Sequence, residues 1–201
     1  MEVYLIRHGE TGGNIAHRHQ PEDTPLTDRG IEQARVVAEK VKDLEPTHIL
    51  TSPLVRAVET AREIGKVCDL VPETNSHFVE LKRPDYMYGR YHTSFKSVSF
   101  YSKWYFGKSE GGESYQDLQD RIKLAKEHFK SYPEDARVAV VSHSVFINLF
   151  LAHMCHEDSM SLTAATKSFI EILTMKNTEF IPLIFDPEAH AETCGWFRVE
   201  D

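Results

Sequence analysis

Three short apolar runs constrain this chain more than any other feature: VYLI at residues 3–6, HILT at 48–51 and RVAVV at 137–141. None alternates apolar with polar residues, as a strand wet on one face does. Continuous β-forming runs of this length suit strands covered on both faces, the condition of a parallel sheet. Helical periodicity follows each run. In residues 26–44, Ile31, Ala34, Val37, Ala38 and Val41 share one face, Thr27 or Asp28 can cap the start, and Pro46 closes the segment. Ser52-Pro53 reads as a cap and first-turn proline for a helix reaching about Val67. Residues 114–132 are helical, Ser142 to Cys155 is a turn and helix, and 161–174 is a further helix. Asp69 to Glu73, Thr178 to Phe185 and a short edge at Trp196 to Val199 read as additional strands. Strands alternating with helices predict βαβ units, hence an α/β fold around a mainly parallel sheet.

With 201 residues and no internal repeat, low-complexity tract or linker, the expectation is one domain over 1–201. The stretch at about 82–112 is the least regular and reads as an excursion from the sheet. A net charge of −8 argues against general nucleic-acid or anionic-membrane binding. No apolar run reaches the ~18–20 residues that a spanning helix needs, and strand-like sequence from Glu2 leaves no room for a signal peptide. Cys68, Cys155 and Cys194 are odd in number, far apart and in no CxxC pair. The expectation from them is reduced thiols, no zinc site and a cytoplasmic setting.

The polar residues sit where those strands end. VYLI stops at Arg7-His8, HILT at Ser52 with Arg56 soon after, and the third run at Ser142-His143. In open α/β sheets, ligands bind beyond the carboxyl ends of the strands. If the three ends lie side by side, Arg7, Arg56, His8 and His143 converge with the N-termini of two helices. Such a spot binds an anion, phosphate being the obvious one. A neutral imidazole in it can attack phosphorus, while the arginines spread the growing charge. Ser142-His143-Ser144 suggests a serine nucleophile only superficially, because the GxSxG elbow is missing.

LIRHGET followed by Asn14, LTDRG at 26–30, TSPLVRAVETA at 51–61 and VVSHS at 140–144 resemble the histidine phosphatase superfamily, in its phosphoglycerate-mutase-like, RHG-motif branch. The motifs come in that family's order. The resemblance implies a three-layer α/β/α fold and specific roles. His8 is the phosphorylated nucleophile, and Arg7, Arg56, His143 and Asn14 form the phosphate pocket. Glu80, in HFVELKRPDYMYG, is the proton donor, with Glu10 as the competing candidate. Thr11 is open to two roles, a hydroxyl contact to phosphate or a turn and cap. Ser144 stands where the family often has glycine or alanine, and its backbone N–H can still serve the phosphate. Gly12-Gly13 replace larger residues, and a GGES stretch appears at 111–114. The implied ligand is a small phosphorylated substrate, with no cofactor, no metal, no nucleic acid and no membrane. The oligomeric state is open, a homodimer included.

The superfamily holds both phosphatases and mutases. LKRPDYMYGRYH does not match the arginine- and tyrosine-containing stretch of its mutases, which favours a phosphatase. A mutase-type transfer, or a phospho-ligand-binding protein with little turnover, remains the alternative. Between Lys82 and Lys108 six basic residues face a single acid, Asp85, and aromatics are dense. This segment is either a basic, aromatic cover over the anion site or packing material for the main domain. His17 with His19, and His153 with His156, are close pairs without metal-site spacing.

Overall fold

The computed structural model describes residues 1–108, 111–155, 161–186 and 194–199. The elements in chain order are β1 (Glu2–Arg7), α1 (Gly12–Ile15), α2 (Asp28–Lys42), β2 (His48–Thr51), α3 (Val55–Cys68), β3 (Glu73–Thr74), α4 (Phe95–Tyr105), α5 (Tyr115–Phe129), β4 (Arg137–Ser142), α6 (Ser144–Ala152), α7 (Leu162–Thr174), β5 (Phe180–Phe185) and β6 (Trp196–Arg198). The sheet has six strands in the order β3-β2-β4-β1-β5-β6. β4 runs parallel to both β1 and β2, whereas β5 and β6 add antiparallel pairings on the far side.

The unbroken apolar runs are explained by cover on both faces. Val138 and Val140 point into a cluster with Leu118, Ile122, Phe146 and Phe150 from α5 and α6. Ala139 and Val141 point the other way, against Val37 and Val41 of α2 and Ala57, Ala61 and Ile64 of α3. The period of two in a strand thus feeds two separate cores. Thr27 caps α2, its side chain accepting from the Gly30 N–H, and Ser114 forms a capping box with Asp117 at the start of α5.

Several boundaries differ from the sequence expectation. Ser52-Pro53 does not open α3. Leu54 is the N-cap and has no polar side chain to close the helix end, while the Ser52 hydroxyl two residues earlier accepts from the Leu54 N–H at 3.3 Å and lies 2.8 Å from His143 Nε2. The strand expected over Asp69–Glu73 shrinks to Glu73–Thr74, since Asp69 takes a left-handed conformation (φ 54°) as the C-cap of α3. The excursion carries an unexpected helix, α4, capped by Ser94. The expectation of reduced thiols is also overturned for two of the three cysteines. Cys155 and Cys194, with Cα atoms 5.0 Å apart, form a disulfide across a separation of 39 residues that local spacing does not reveal. Cys68 is free. Among the described residues, no helix is long and apolar enough to cross a membrane.

One backbone contact anchors the loop after β1. A Cβ on Gly9 would lie 2.5 Å from the Gly30 carbonyl oxygen, and one on Gly30 only 2.2 Å from that of Glu10. Thr27 N–H donates to the Glu10 carbonyl at 2.9 Å, closing the same contact. Glycine to alanine inside a helix normally stabilises by about 1 kcal/mol. Gly30→Ala is expected to reverse that sign and cost roughly 1–3 kcal/mol, because backbone must move. Gly12→Ala, where a Cβ meets nothing within 4 Å, is expected to leave the urea midpoint unchanged or raised. Equal midpoints for the two variants count against the contact.

Candidate active site

The pairing of β4 between β1 and β2 brings the three polar strand ends together. Arg7 lies opposite Ser142, and Thr51 opposite Val141. His8 and His143 follow immediately, with ring centroids 5.1 Å apart and 3 % and 0 % exposed. Arg56, in the first turn of α3, is also buried. Arg7, His8 and Arg56 line one cavity of about 520 Å³, together with Asn14, Glu80, Arg83 and Ser144, the residue that follows His143.

The hydrogen bonds define which atoms are available. His8 Nδ1 lies 2.7 Å from the Gly9 carbonyl oxygen, which can only accept. The Nδ1 therefore carries the proton, and Nε2 keeps its lone pair. His143 Nε2 lies 2.8 Å from Ser52 Oγ. Arg56 Nη1 donates to the Pro21 carbonyl at 3.0 Å, and Arg7 Nη1 donates to the Met175 carbonyl. What remains is telling. Among the described residues the buried side-chain nitrogens without a partner are Arg7 Nε, Arg56 Nε and His143 Nδ1. Buried donors are seldom left unpaired without a functional reason.

Electrostatics keep the imidazoles neutral. Burial, then the Arg56 and Arg7 charges, push His8 well below the ordinary histidine range against the pull of the Gly9 carbonyl. His143 is pushed the same way by burial, Arg56, His8, Arg7 and Arg83. Burial lowers Arg56 to about 10 and lowers Arg7, while Glu80 opposes both shifts. The Glu80 carboxylate is thus within electrostatic reach of both arginines. Its Oε1 accepts from the Leu81 N–H at 2.8 Å.

The remaining expected residues are placed as follows. Asn14 lines the cavity, its carboxamide oxygen within 3.1 Å of both the Thr11 N–H and Asn177 Nδ2, so its own Nδ2 is the end left for an anion. Of the two roles open to Thr11, the structure takes the cap: its fully buried hydroxyl closes a capping box with Asn14 and does not line the cavity. Ser144 begins α6, with its N–H in the helix's first turn. Glu10 is engaged with Thr27 Oγ1 at 3.0 Å and does not line the cavity. His19 Nε2 pairs with Ser97 Oγ at 3.1 Å and His153 Nε2 with the Tyr115 hydroxyl at 2.8 Å. His156 lies outside the described residues. No group of His, Cys, Asp and Glu among the described residues is arranged to hold a metal ion.

Sequence reasoning missed two parts of the frame. Arg83, three residues beyond Glu80, faces the cavity and donates from Nε to the Tyr101 hydroxyl at 2.9 Å. The GGES stretch acts as a clamp. Glu113 takes both ends of the Arg121 guanidinium at 2.7 Å, and the Arg121 Nη1 reaches the His77 and Val79 carbonyls at 2.9 and 2.8 Å. Glu113 also accepts from the Lys82 N–H at 3.2 Å. The segment bearing Glu80 is therefore held on both sides of it. A Cβ on Gly112 would lie 2.5 Å from the Lys82 carbonyl oxygen, so glycine is required there.

The ion pair is buried, with Arg121 and Glu113 side chains 10 % and 7 % exposed. Glu113→Ala strands the guanidinium and is expected to cost roughly 3–5 kcal/mol in denaturant unfolding. A loss under 1 kcal/mol removes the clamp from the account. Neutral buried histidines give a second expectation. Burial, helped by Arg83 and His92, holds His19 at about 3, and His8 and His143 are also depressed. Below the unfolded pKa of about 6.5 the unfolded chain takes up protons that the native state refuses, so this stability is present above pH 6.5 and is lost as pH falls. By pH 5, His19 alone accounts for roughly 2 kcal/mol. Urea titrations at pH 7 and pH 5 check this, with a shallower dependence expected in His8→Asn.

Comparison with known proteins agrees with this geometry. Residues 3–180 match the family model of the histidine phosphatase superfamily, branch 1. A probable phosphoglycerate mutase GpmB of Photorhabdus laumondii is 37 % identical over 153 residues, covering 72 % of this chain and 70 % of its own. Its Proteus mirabilis counterpart is 34 % identical over 158 residues, 76 % of this chain and 74 % of its own. Among solved structures, a mycobacterial glucosyl-3-phosphoglycerate phosphatase in complex with VO3 superposes with a TM-score of 0.78 at 25 % identity, covering 100 % of this chain and 98 % of its own. A putative alpha-ribazole-5'-P phosphatase from Escherichia coli gives 0.74 at 25 % identity over 92 % and 91 %. The sheet with its flanking helices is the phosphoglycerate-mutase-like fold, and the chain belongs to the histidine phosphatase superfamily, branch 1.

Proposed function

We propose that this chain is a phosphomonoester hydrolase working through a phosphohistidine on His8, with Glu80 as proton donor and a small phosphorylated molecule as substrate. The observation that carries the reading is the set of orphaned donors Arg7 Nε, Arg56 Nε and His143 Nδ1 around a histidine whose Nε2 holds a lone pair. A phosphoryl group offers acceptor oxygens to all three donors while its phosphorus meets the nucleophile. In the first step His8 Nε2 forms a bond to phosphorus and the ester P–O bond breaks. The leaving oxygen takes the Glu80 proton. In the second, water attacks phosphorus, its proton passes to the Glu80 carboxylate, and the P–N bond breaks to release phosphate. One carboxyl serves as acid and then as base. The arginines, the His143 Nδ1–H and the N-terminus of α6 at Ser144 stabilise the equatorial oxygens in both steps.

Ser52 fits this scheme. Its hydroxyl accepts from the Leu54 N–H at 3.3 Å and is placed to donate to His143 Nε2, leaving the proton on Nδ1, facing the anion. A mutase-type transfer is the second reading, supported by the names of the relatives at 34 % and 37 % identity. The phosphatase reading is supported by the phosphatases that superpose over nearly the whole chain. The two share the first step and differ in whether water or a substrate hydroxyl accepts the phosphoryl group.

The intact protein is expected to release phosphate from small esters and to carry an acid-sensitive, base-stable phosphoryl label, and His8→Ala is expected to do neither. Glu80→Gln is expected to slow hydrolysis of alkyl phosphates by about 10²–10⁴. With p-nitrophenyl phosphate, whose leaving group needs no proton, the same variant should accumulate label. Turnover that survives His8→Ala defeats the mechanism. Interconversion of phosphoglycerates faster than phosphate release moves the assignment to a mutase.

A further inference from the structure

The cavity that holds His8 has two chemically different ends. At one lie Arg7, Arg56, Arg83 and Glu80. The other is walled by Val98 and Phe106 on and beyond α4, Leu149 of α6, and Phe169, Ile172 and Leu173 of α7. Among the described lining residues contributed by 98–106 and 145–175, none carries a charge. Val98, Phe106, Phe169 and Leu173 remain 52, 63, 37 and 45 % exposed, so this wall is apolar surface left in contact with water. It is continuous with the phosphate end through Arg83, Tyr101 and Phe169. Arg83 holds the Tyr101 hydroxyl, and the Tyr101 ring meets Phe169 edge-on at 6.1 Å between centroids.

The geometry points to the substrate class: a phosphomonoester whose leaving group is a sizeable apolar body, seated between α4 and α7 while its phosphate faces His8. This rests on the phosphatase reading and deepens it. The cavity's volume of about 520 Å³ lies within the usual range for drug-sized ligands and exceeds what a phosphate alone fills. Ser102, Tyr105, Thr166 and Ser168 also line this end, but a triose phosphate is too small to cover its apolar side chains, whereas an alkyl or ring-bearing body removes Phe169, Leu173 and Val98 from water. The apolar wall is shared with the reacting end, so the occupant that covers it is the ester's own leaving group rather than a separate partner.

Alkylphosphonates test this without turnover, because their P–C bond is not cleaved and chain length leaves the charged group unchanged. Calorimetric Kd values are measured for ethyl-, butyl-, hexyl- and octylphosphonate with the full chain. A fully buried methylene is worth about fourfold in affinity, so Kd is expected to tighten at least tenfold from ethyl to hexyl. Phe169→Asn and Leu173→Asn are expected to flatten the series. Val36→Asn, on the exposed side of α2, is expected to leave it intact and controls for nonspecific adsorption. All three positions are solvent-accessible in the wild type, and circular dichroism checks that each variant folds. A Kd independent of chain length, or a slope unmoved by both wall substitutions, overturns the inference whether or not esters are hydrolysed. A steep, wall-dependent slope with no turnover of any ester keeps the apolar subsite and overturns the phosphatase reading instead.

Discussion

Everything at this site depends on the insertion of β4 between β1 and β2. The two outer strands are nearly fifty residues apart and β4 comes almost ninety residues after the second of them, yet their ends are level in the sheet. A one-residue slip of β4 would turn Val138 and Val140 out of one core and Ala139 and Val141 out of the other. The register is therefore fixed by the packing of both faces. The distance between His8 and His143 follows from that register rather than from any contact between the two rings. Burial of apolar strand residues thus sets the spacing of the two imidazoles.

The same burial sets the chemistry. Desolvation and two neighbouring cations push His8 toward the neutral form together, and only the Gly9 carbonyl works against them. A solvated imidazole would be partly protonated near neutrality. Here the side chain keeps its lone pair while its neighbours carry positive charge, the combination that the proposed attack on a phosphoryl group needs. Arginines bring the charge without competing for the proton, because their own protons are far harder to remove. The proposed mechanism thus separates nucleophile from electrophilic support by residue type, and backbone carbonyls at Pro21, Met175 and Gly9 orient each member.

Much of this was legible in the sequence because the strands and their polar ends are local features. VYLI, HILT and RVAVV became β1, β2 and β4 to within a residue, the expected residues Arg7, His8, Arg56, Asn14, Glu80 and Ser144 line one cavity, and His143 packs beside His8. What stayed hidden depends on long-range contacts. The helix α4 is built from serines and aromatics with weak helical preference, and it owes its place to the burial of Phe100, Trp104 and Ser97. Trp104 is anchored by its Nε1–H to the Glu113 carbonyl at 2.9 Å, a partner outside the helix. The Cys155–Cys194 bond joins residues separated by 39 positions. Ser52 reads as a cap because serine before proline usually is one, and its hydroxyl, besides accepting from the Leu54 N–H, reaches His143 across the sheet.

The excursion resolves into both of the roles that its composition left open. Phe100 and Trp104 are buried and pack it onto the main body, while Val98, Tyr101 and Phe106, with part of Trp104, line the cavity. This division follows from α4 being a helix. Residues 100 and 104 share one face, 98 and 101 project from others, and one element supplies both an anchor and a wall. Glu113 and Arg121 then tie the end of the excursion back to the strand-like segment around Glu80. A shift of the excursion therefore moves the wall and the carboxylate together. On the proposed mechanism, substrate fit at the apolar end and proton donation at the reacting end are joined through one short stretch of chain, so the shape of the leaving group would bear directly on where its oxygen meets Glu80.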